Sequence, residues 1–145
     1  MIRKNVRLIA MALSCGIVTL PAGADGLSVS PTSISVSADV NMATLTVKAD
    51  GKKRVLGQVR VVSWNRAGGN NDIAPTRNVV ASPPSLNIAP NQEITVRIVR
   101  KAKSAVRSED CYRILIDKLP EPGKSDSSVG FTIRQSIPLC FGLKN

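Results

Sequence analysis

The sequence contains no histidine. Ser-His-Asp and Cys-His catalytic sets are therefore excluded, as is any zinc site that needs imidazole. Aromatic residues are scarce, with one Trp, one Tyr and two Phe in 145 residues. Acidic residues are also few, 10 against 20 Lys and Arg, which gives a formal charge of +10. There is no glycine-rich phosphate loop, no internal repeat, and no segment with a helical apolar period. No paired nucleophile and base can be named. The chain is accordingly expected not to be an enzyme and to carry neither cofactor nor metal.

Apolar residues make up 43% of the chain, enough for a core. They are mostly Val, Ile, Leu and Ala, and the polar positions are rich in Ser and Thr, a mixture that favours strands. The length allows one domain of ordinary size behind a processed leader.

Residues 1–24 read as a secretory signal. Arg3, Lys4 and Arg7 form a positive start, Leu8 to Leu20 is apolar in the main, and Ala22-Gly23-Ala24 is a small-x-small cleavage site. The run is short for a membrane span and is followed by Pro21 and Gly23. Cys15 falls inside this segment and is read as a signal residue that is removed. Cleavage after Ala24 leaves 121 residues and lowers the formal charge from +10 to +7, because three cations and no acid leave with the leader. Cys111 and Cys140 remain, and an even pair in an exported chain reads as one disulfide.

In the mature chain, Leu27 and Val29 are followed by Ile34 and Val36. The apolar phase changes from odd to even across Pro31, which an unbroken period-2 strand cannot do. This strand is expected to bend at Pro31 and to switch sheets. Ala43, Leu45, Val47 and Ala49 alternate with polar residues up to an Asp50-Gly51 turn. Val55 to Trp64 is a longer strand, Ala67 to Thr76 a Gly/Asn-rich loop, and Asn78 to Ser82 a short strand ended by Pro83-Pro84. Leu86 and Ile88, then Ile94, Val96 and Ile98, give further alternation on either side of Pro90-Asn91. Lys101 to Ser108 is a basic loop, Cys111 to Leu119 a strand, Pro120 to Ser128 a loop, and Val129 to Leu139 a long final strand. About seven strands at this spacing predict an all-β, single-domain, immunoglobulin-like sandwich over residues 25–145.

Several pieces recur in order along this chain: Trp64, Ala74-Pro75-Thr76-Arg77, Ser82-Pro83-Pro84, Leu86-x-Ile88-x-Pro90 and Val96-Arg97. They continue with Tyr112-Arg113, Leu119-Pro120 and Arg134-x-Ser136-Ile137-Pro138-Leu139. In this order and spacing the chain resembles the periplasmic pilus-assembly chaperones of the chaperone–usher pathway, from about Leu27 to Phe141. Val29-Ser30-Pro31-Thr32 is similar to their more divergent branches. The resemblance implies a periplasmic protein that binds and stabilises pilus or fimbrial subunits, with an outer-membrane usher as a further partner. It also implies that the last strand of the domain is lent to the subunit by β-strand addition. Val129, Phe131, Ile133 and Ile137 are then the donor residues. The plain alternative for such an alternation is a core face.

The chain departs from the family in two places. It stops at Asn145, where the linker to the family's second domain is expected, so that domain is read as absent. The family anchors a subunit's terminal carboxylate on an Arg of the first strand and a Lys of the last, and these positions correspond to Ser33 and Pro138. Substitute anchors are Arg113 and Arg134. A disulfide between the last two strands also occurs in some chaperones of this family, and if Cys111 and Cys140 face each other, antiparallel partners sum to 251. Asp117 then faces Arg134, and Arg113 faces Pro138.

Lys52-Lys53-Arg54 and Arg100-Lys101-x-Lys103 are basic clusters without interleaved aromatics, so they read as solvated loops and not as a nucleic-acid surface. Self-association through the last strand is a second use of that edge. Competing readings are a pilus subunit, another exported immunoglobulin-like structural or interaction protein, and a truncated chaperone without function. A subunit needs a free alternating N-terminal extension, and only Asp25 and Gly26 precede the first strand.

Overall fold

The computed structural model describes residues 26–123 and 132–142. The leader with Cys15, and the donor candidates Val129 and Phe131, lie outside the described residues.

Among the described residues ten strands follow one another: β1 (Gly26–Ser30), β2 (Ile34–Val36), β3 (Met42–Asp50), β4 (Val55–Trp64), β5 (Ile73–Pro75), β6 (Val79–Ser82), β7 (Ser85–Ile88), β8 (Glu93–Arg100), β9 (Asp110–Lys118) and β10 (Arg134–Phe141). One sheet has the order β1-β3-β8-β6, and the other β2-β10-β9-β4-β5, with β7 pairing β4 beside β5. The sheets stack as an immunoglobulin-like sandwich.

The alternation read from sequence is the cause of the core. Ala43, Leu45, Val47 and Ala49 of β3 and Val96 and Ile98 of β8 point inward from one sheet. Val55, Val59, Ile114, Ile116, Ile137, Leu139 and Phe141 meet them from the other. Burial of each large side chain stabilises the fold by roughly 1.5–3 kcal/mol.

The phase change at Pro31 is a change of sheet. β1 pairs β3 antiparallel, with Val29 opposite Val47, whereas β2 runs parallel to β10, with Ile34 opposite Leu139. The chain repeats this manoeuvre at Pro83-Pro84, since β6 pairs β8 in one sheet and β7 pairs β4 in the other. Two strand pairs therefore behave as single strands broken by proline, and the ten described strands reduce to eight, one more than the seven expected, the extra one being β5.

Three sequence expectations need correction. The Ala67–Thr76 segment is not only a loop: after a 3-10 turn at Arg66–Gly68 it contains β5, which pairs with Val62–Trp64 of β4. Three residues are too few to show a period, so it left no pattern to read. Among the described residues the final strand is Arg134–Phe141, which runs two residues past Leu139 and leaves Thr132 and Ile133 outside it. The Lys118 amide still donates to the Ile133 carbonyl at 3.0 Å, but Pro120, two residues on, has no N–H to continue the ladder. Finally, Arg100 is not part of a solvated run. It is buried between the sheets, its guanidinium 5.9 Å from the Phe141 ring centroid and donating to the Ser104 carbonyl. Lys101 and Lys103 are exposed as expected.

Candidate functional site

β10 is the strand on which the sequence places function. β9 covers one side of it along its whole length. On the other side β2 covers only Leu139–Phe141. From Arg134 to Pro138 that edge has no ladder partner among the described residues. An unpaired edge of this kind is a template for another strand unless something blunts it.

Odd-numbered residues of β10 face the other sheet. Ile137, Leu139 and Phe141 are buried in the core, and Gln135, half-buried, donates to the Leu27 carbonyl of β1. Ile133 has the same parity but lies beyond the end of the sandwich, and it is 52% exposed. It is the most exposed of the large apolar residues among those described, and Leu119 is exposed just after β9. The two described donor candidates therefore separate. Ile133 projects past the core. Ile137 is 4% exposed and belongs to the chain's own core, because the strand is still inside the sandwich at that point.

The register is the one that sums to 251. Arg134 pairs with Asp117, Pro138 with Arg113, and Cys140 with Cys111. Cys111 and Cys140 form a disulfide across β9 and β10. Ser33 directly precedes Ile34, whose partner is Leu139, so Ser33 lies beside Pro138. The two positions expected to carry anchoring cations are thus neighbours in space, and neither is charged.

Cations stand instead on the outer face of this sheet. Arg134 donates through Nε to Asp117 Oδ1 at 2.5 Å, and Arg60 donates to Asp117 Oδ2 at 2.8 Å. The Asp117 carboxyl is held below its ordinary range. The Arg134 hydrogen bond is the largest cause, burial opposes it, and the Arg60 hydrogen bond adds to it. Arg134 is therefore committed to an internal carboxylate. Arg60 was not identified from sequence, because its role depends on β4 placing it beside β9, a non-local pairing.

Arg113 is differently placed. Its guanidinium lies 4.0 Å from the centroid of Trp64, a close cation–π contact. It donates to Asn70 Oδ1 at 2.8 Å and, more loosely, to Ser136 Oγ at 3.4 Å. Its Nε is buried and has no partner. Arg60, Arg66 and Arg134 each have a carboxylate on or beside this face, whereas Arg113 has none within ion-pair distance among the described residues.

An immunoglobulin-like sandwich whose last strand is open along one edge is a domain that can add a strand. No curated protein matches the sequence. Residues 26–142 match the family described as pili and flagellar-assembly chaperone, PapD N-terminal domain, and the chain belongs to that family. Solved structures of chaperone–usher pilus chaperones have the same fold. A chaperone–tip adhesion subunit pre-assembly complex, CsuC–CsuE, from archaic chaperone–usher Csu pili of Acinetobacter baumannii matches with a TM-score of 0.67 and 23% identity over 80% of this chain and 56% of that one. The E. coli chaperone DraB matches with a TM-score of 0.65 and 22% identity over 83% and 58%. The Salmonella enterica SafA pilin in complex with the SafB chaperone matches with a TM-score of 0.65 and 20% identity over 81% and 54%. The chain spans somewhat more than half the length of these structures.

Proposed function

We propose that this domain binds and stabilises pilus or fimbrial subunits by lending them β10 and the residues that precede it. The observation that carries the reading is the strand itself: its edge has no ladder partner from Arg134 to Pro138 among the described residues, and Ile133 continues the core-facing parity into solvent. Main-chain hydrogen bonds along the edge supply affinity, and Ile133, with Phe131 and Val129 before it, fills pockets of the acceptor. Similar structures hold a pilin or a tip adhesion subunit together with a chaperone, which supports subunits as the partner class. The reading places the protein in the periplasm, supported by the signal-like leader and the disulfide. It includes an outer-membrane usher as the recipient of the complex, and no enzymatic step.

Arg113 is the anchor for a subunit's terminal carboxylate in this reading. It faces Pro138, beside the open edge, and a guanidinium can take a carboxylate bidentately. Arg134 ranks below it because Asp117 already holds it.

The test is periplasmic co-expression with candidate pilins followed by pull-down. Ile133→Asp and Phe131→Asp should each lower subunit capture at least tenfold while the circular dichroism of the free protein is unchanged. Capture of a cognate subunit at parental level by both variants would overturn the donor-strand reading.

A further inference from the structure

The guanidinium of Arg113 does not choose its own position. Trp64 offers it a flat face, and the Trp64 indole N–H is itself fixed on the Gly69 carbonyl at 2.9 Å. Asn70, from the same loop, takes one of its amino groups at 2.8 Å. That loop is closed on itself by the Asn65 amide donating to the Asp72 carbonyl at 2.9 Å and by the Asn65 side chain donating to Asp72 Oδ2 at 2.6 Å. It is tied to β9 by an ion pair between Arg66 and Glu109. Glu109 lies next to β9, one residue before Asp110.

These contacts converge on one group. The guanidinium is stacked on an indole and held by a neutral amide, and among the described residues no carboxylate lies within ion-pair distance of it. Had residue 70 been an aspartate, the site would already hold a carboxylate. We propose that Asn70 and the Arg66–Glu109 pair are positioning residues. They hold Arg113 flat on Trp64 and leave it open for a carboxylate arriving on the outer face of the β9–β10 sheet. This rests on the reading of Arg113 as the carboxylate anchor, and it adds that the loop Asn65–Asp72 sets the anchor's strength.

Trp64 is the only tryptophan in the chain, so its fluorescence reports the surroundings of this one ring, where Arg113 lies at 4.0 Å and Arg66 at 5.9 Å from the centroid. The probe is iodide, an anionic quencher, measured against neutral acrylamide on the free protein, with sodium acetate as competitor. In the parent, iodide should quench more strongly relative to acrylamide than in Arg113→Gln, and acetate should remove the excess. Asn70→Ala should lower the excess about twofold or more. Glu109→Gln, which keeps Arg66 and its charge 5.9 Å from the Trp64 centroid but removes the tie to β9, should also lower the excess, against the rise that the lost negative charge alone would give. Asn70→Asp should abolish the excess by supplying an internal carboxylate. Arg97→Gln, which removes the same charge from the opposite face of the sandwich, should leave the excess unchanged.

Two failures are distinguishable. If Arg113→Gln lowers the excess while Asn70→Ala and Glu109→Gln both leave it at or above the parental value, the positioning role is overturned and the anchor reading stands. If Arg113→Gln itself leaves the excess unchanged, Arg113 is not an anion site and both fall. Subunit capture should follow the same order, parent above Asn70→Ala above Asn70→Asp, and Asn70→Gln, which keeps the amide, should recover part of the loss. Capture by Asn70→Asp equal to the parent overturns the proposal.

Discussion

Asp117 accepts the Arg134 Nε–H at 2.5 Å directly across the β9–β10 ladder, and the two residues are also Cα partners in the register. Arg60 approaches the same carboxylate from β4, so three adjacent strands are tied on one outer face. The pair stands where β10 leaves the sandwich, one residue after Ile133.

Because these contacts lower the Asp117 pKa in the folded state, its contribution is present above the unfolded value and is lost as pH falls through the folded one. Urea midpoints should therefore fall more steeply on acidification below about pH 4, the ordinary aspartate range, in the parent than in Asp117→Asn. Parallel curves for the two proteins would show that the carboxylate adds nothing to folding.

Cys111 and Cys140 close a sequence separation of 29 between the two strands that carry the site. Replacing both with Ala should cost roughly 3–4 kcal/mol in the chain-entropy treatment. Denaturant unfolding of the double variant measures it. Mass spectrometry of the unreduced parent should find two hydrogens missing, and free thiols in protein from an oxidising compartment would contradict the bond.

Tyr112 is the only tyrosine, 2% exposed, with its hydroxyl donating to Asp110 Oδ2 at 2.8 Å and its ring edge-on to Phe141 at 6.1 Å. Burial first, then the Asp110 hydrogen bond and charge, push the phenol well above its usual range, against a smaller opposing effect of Arg100. The folded state favours the neutral phenol, so the contribution is full below about pH 10, the ordinary phenol value, and is lost as pH rises toward the folded value. Ultraviolet titration should show no phenolate while the protein remains folded. Tyr112→Phe should lose less stability on alkalinisation than the parent, and phenolate absorbance appearing near pH 10 in folded protein would refute the assignment.

The sheet switch at Pro31 and the β9–β10 register were legible because each leaves a local mark. A parity change cannot be hidden in a period-2 pattern, and one correctly matched pair of cysteines sets every other partner along two strands. Ile133 and Ile137 have the same parity, so the sequence does not tell the exposed one from the buried one; only the point where the sandwich ends separates them. That point is set by β9 running into Leu119-Pro120, a tertiary fact. Arg60 on Asp117, Arg100 beneath Phe141 and Asn70 on Arg113 join residues 57, 41 and 43 positions apart, and none leaves a pattern in the chain.

Pro138 sits where the open edge of β10 meets β2, and the hydrogen-bond alternation shows what it does there. The Lys118 amide donates to the Ile133 carbonyl, so that pair is of the hydrogen-bonded kind. Alternation along an antiparallel ladder then makes Pro138–Arg113 a non-hydrogen-bonded pair, with the nitrogen of residue 138 pointing away from β9 toward the open edge. A valine there would offer an N–H to an incoming strand; proline offers none. An added strand can therefore take donors from Arg134 and Ser136 but must end its pairing before Leu139, where β2 takes over. A short, proline-terminated edge is poorly suited to copying itself, which limits self-association of the free protein. Pro138→Val should lengthen the edge by one donor and raise strand propensity, giving a dimer with a Kd on the order of 100 µM or tighter, the weak end of the affinity range. Size-exclusion chromatography with light scattering at increasing concentration reads this directly. Adding Ile133→Asp in the same chain should return it to monomer, since the charge would have to enter the partner's apolar groove. If Pro138→Val stays as monomeric as the parent across that range, the proline does not guard the edge.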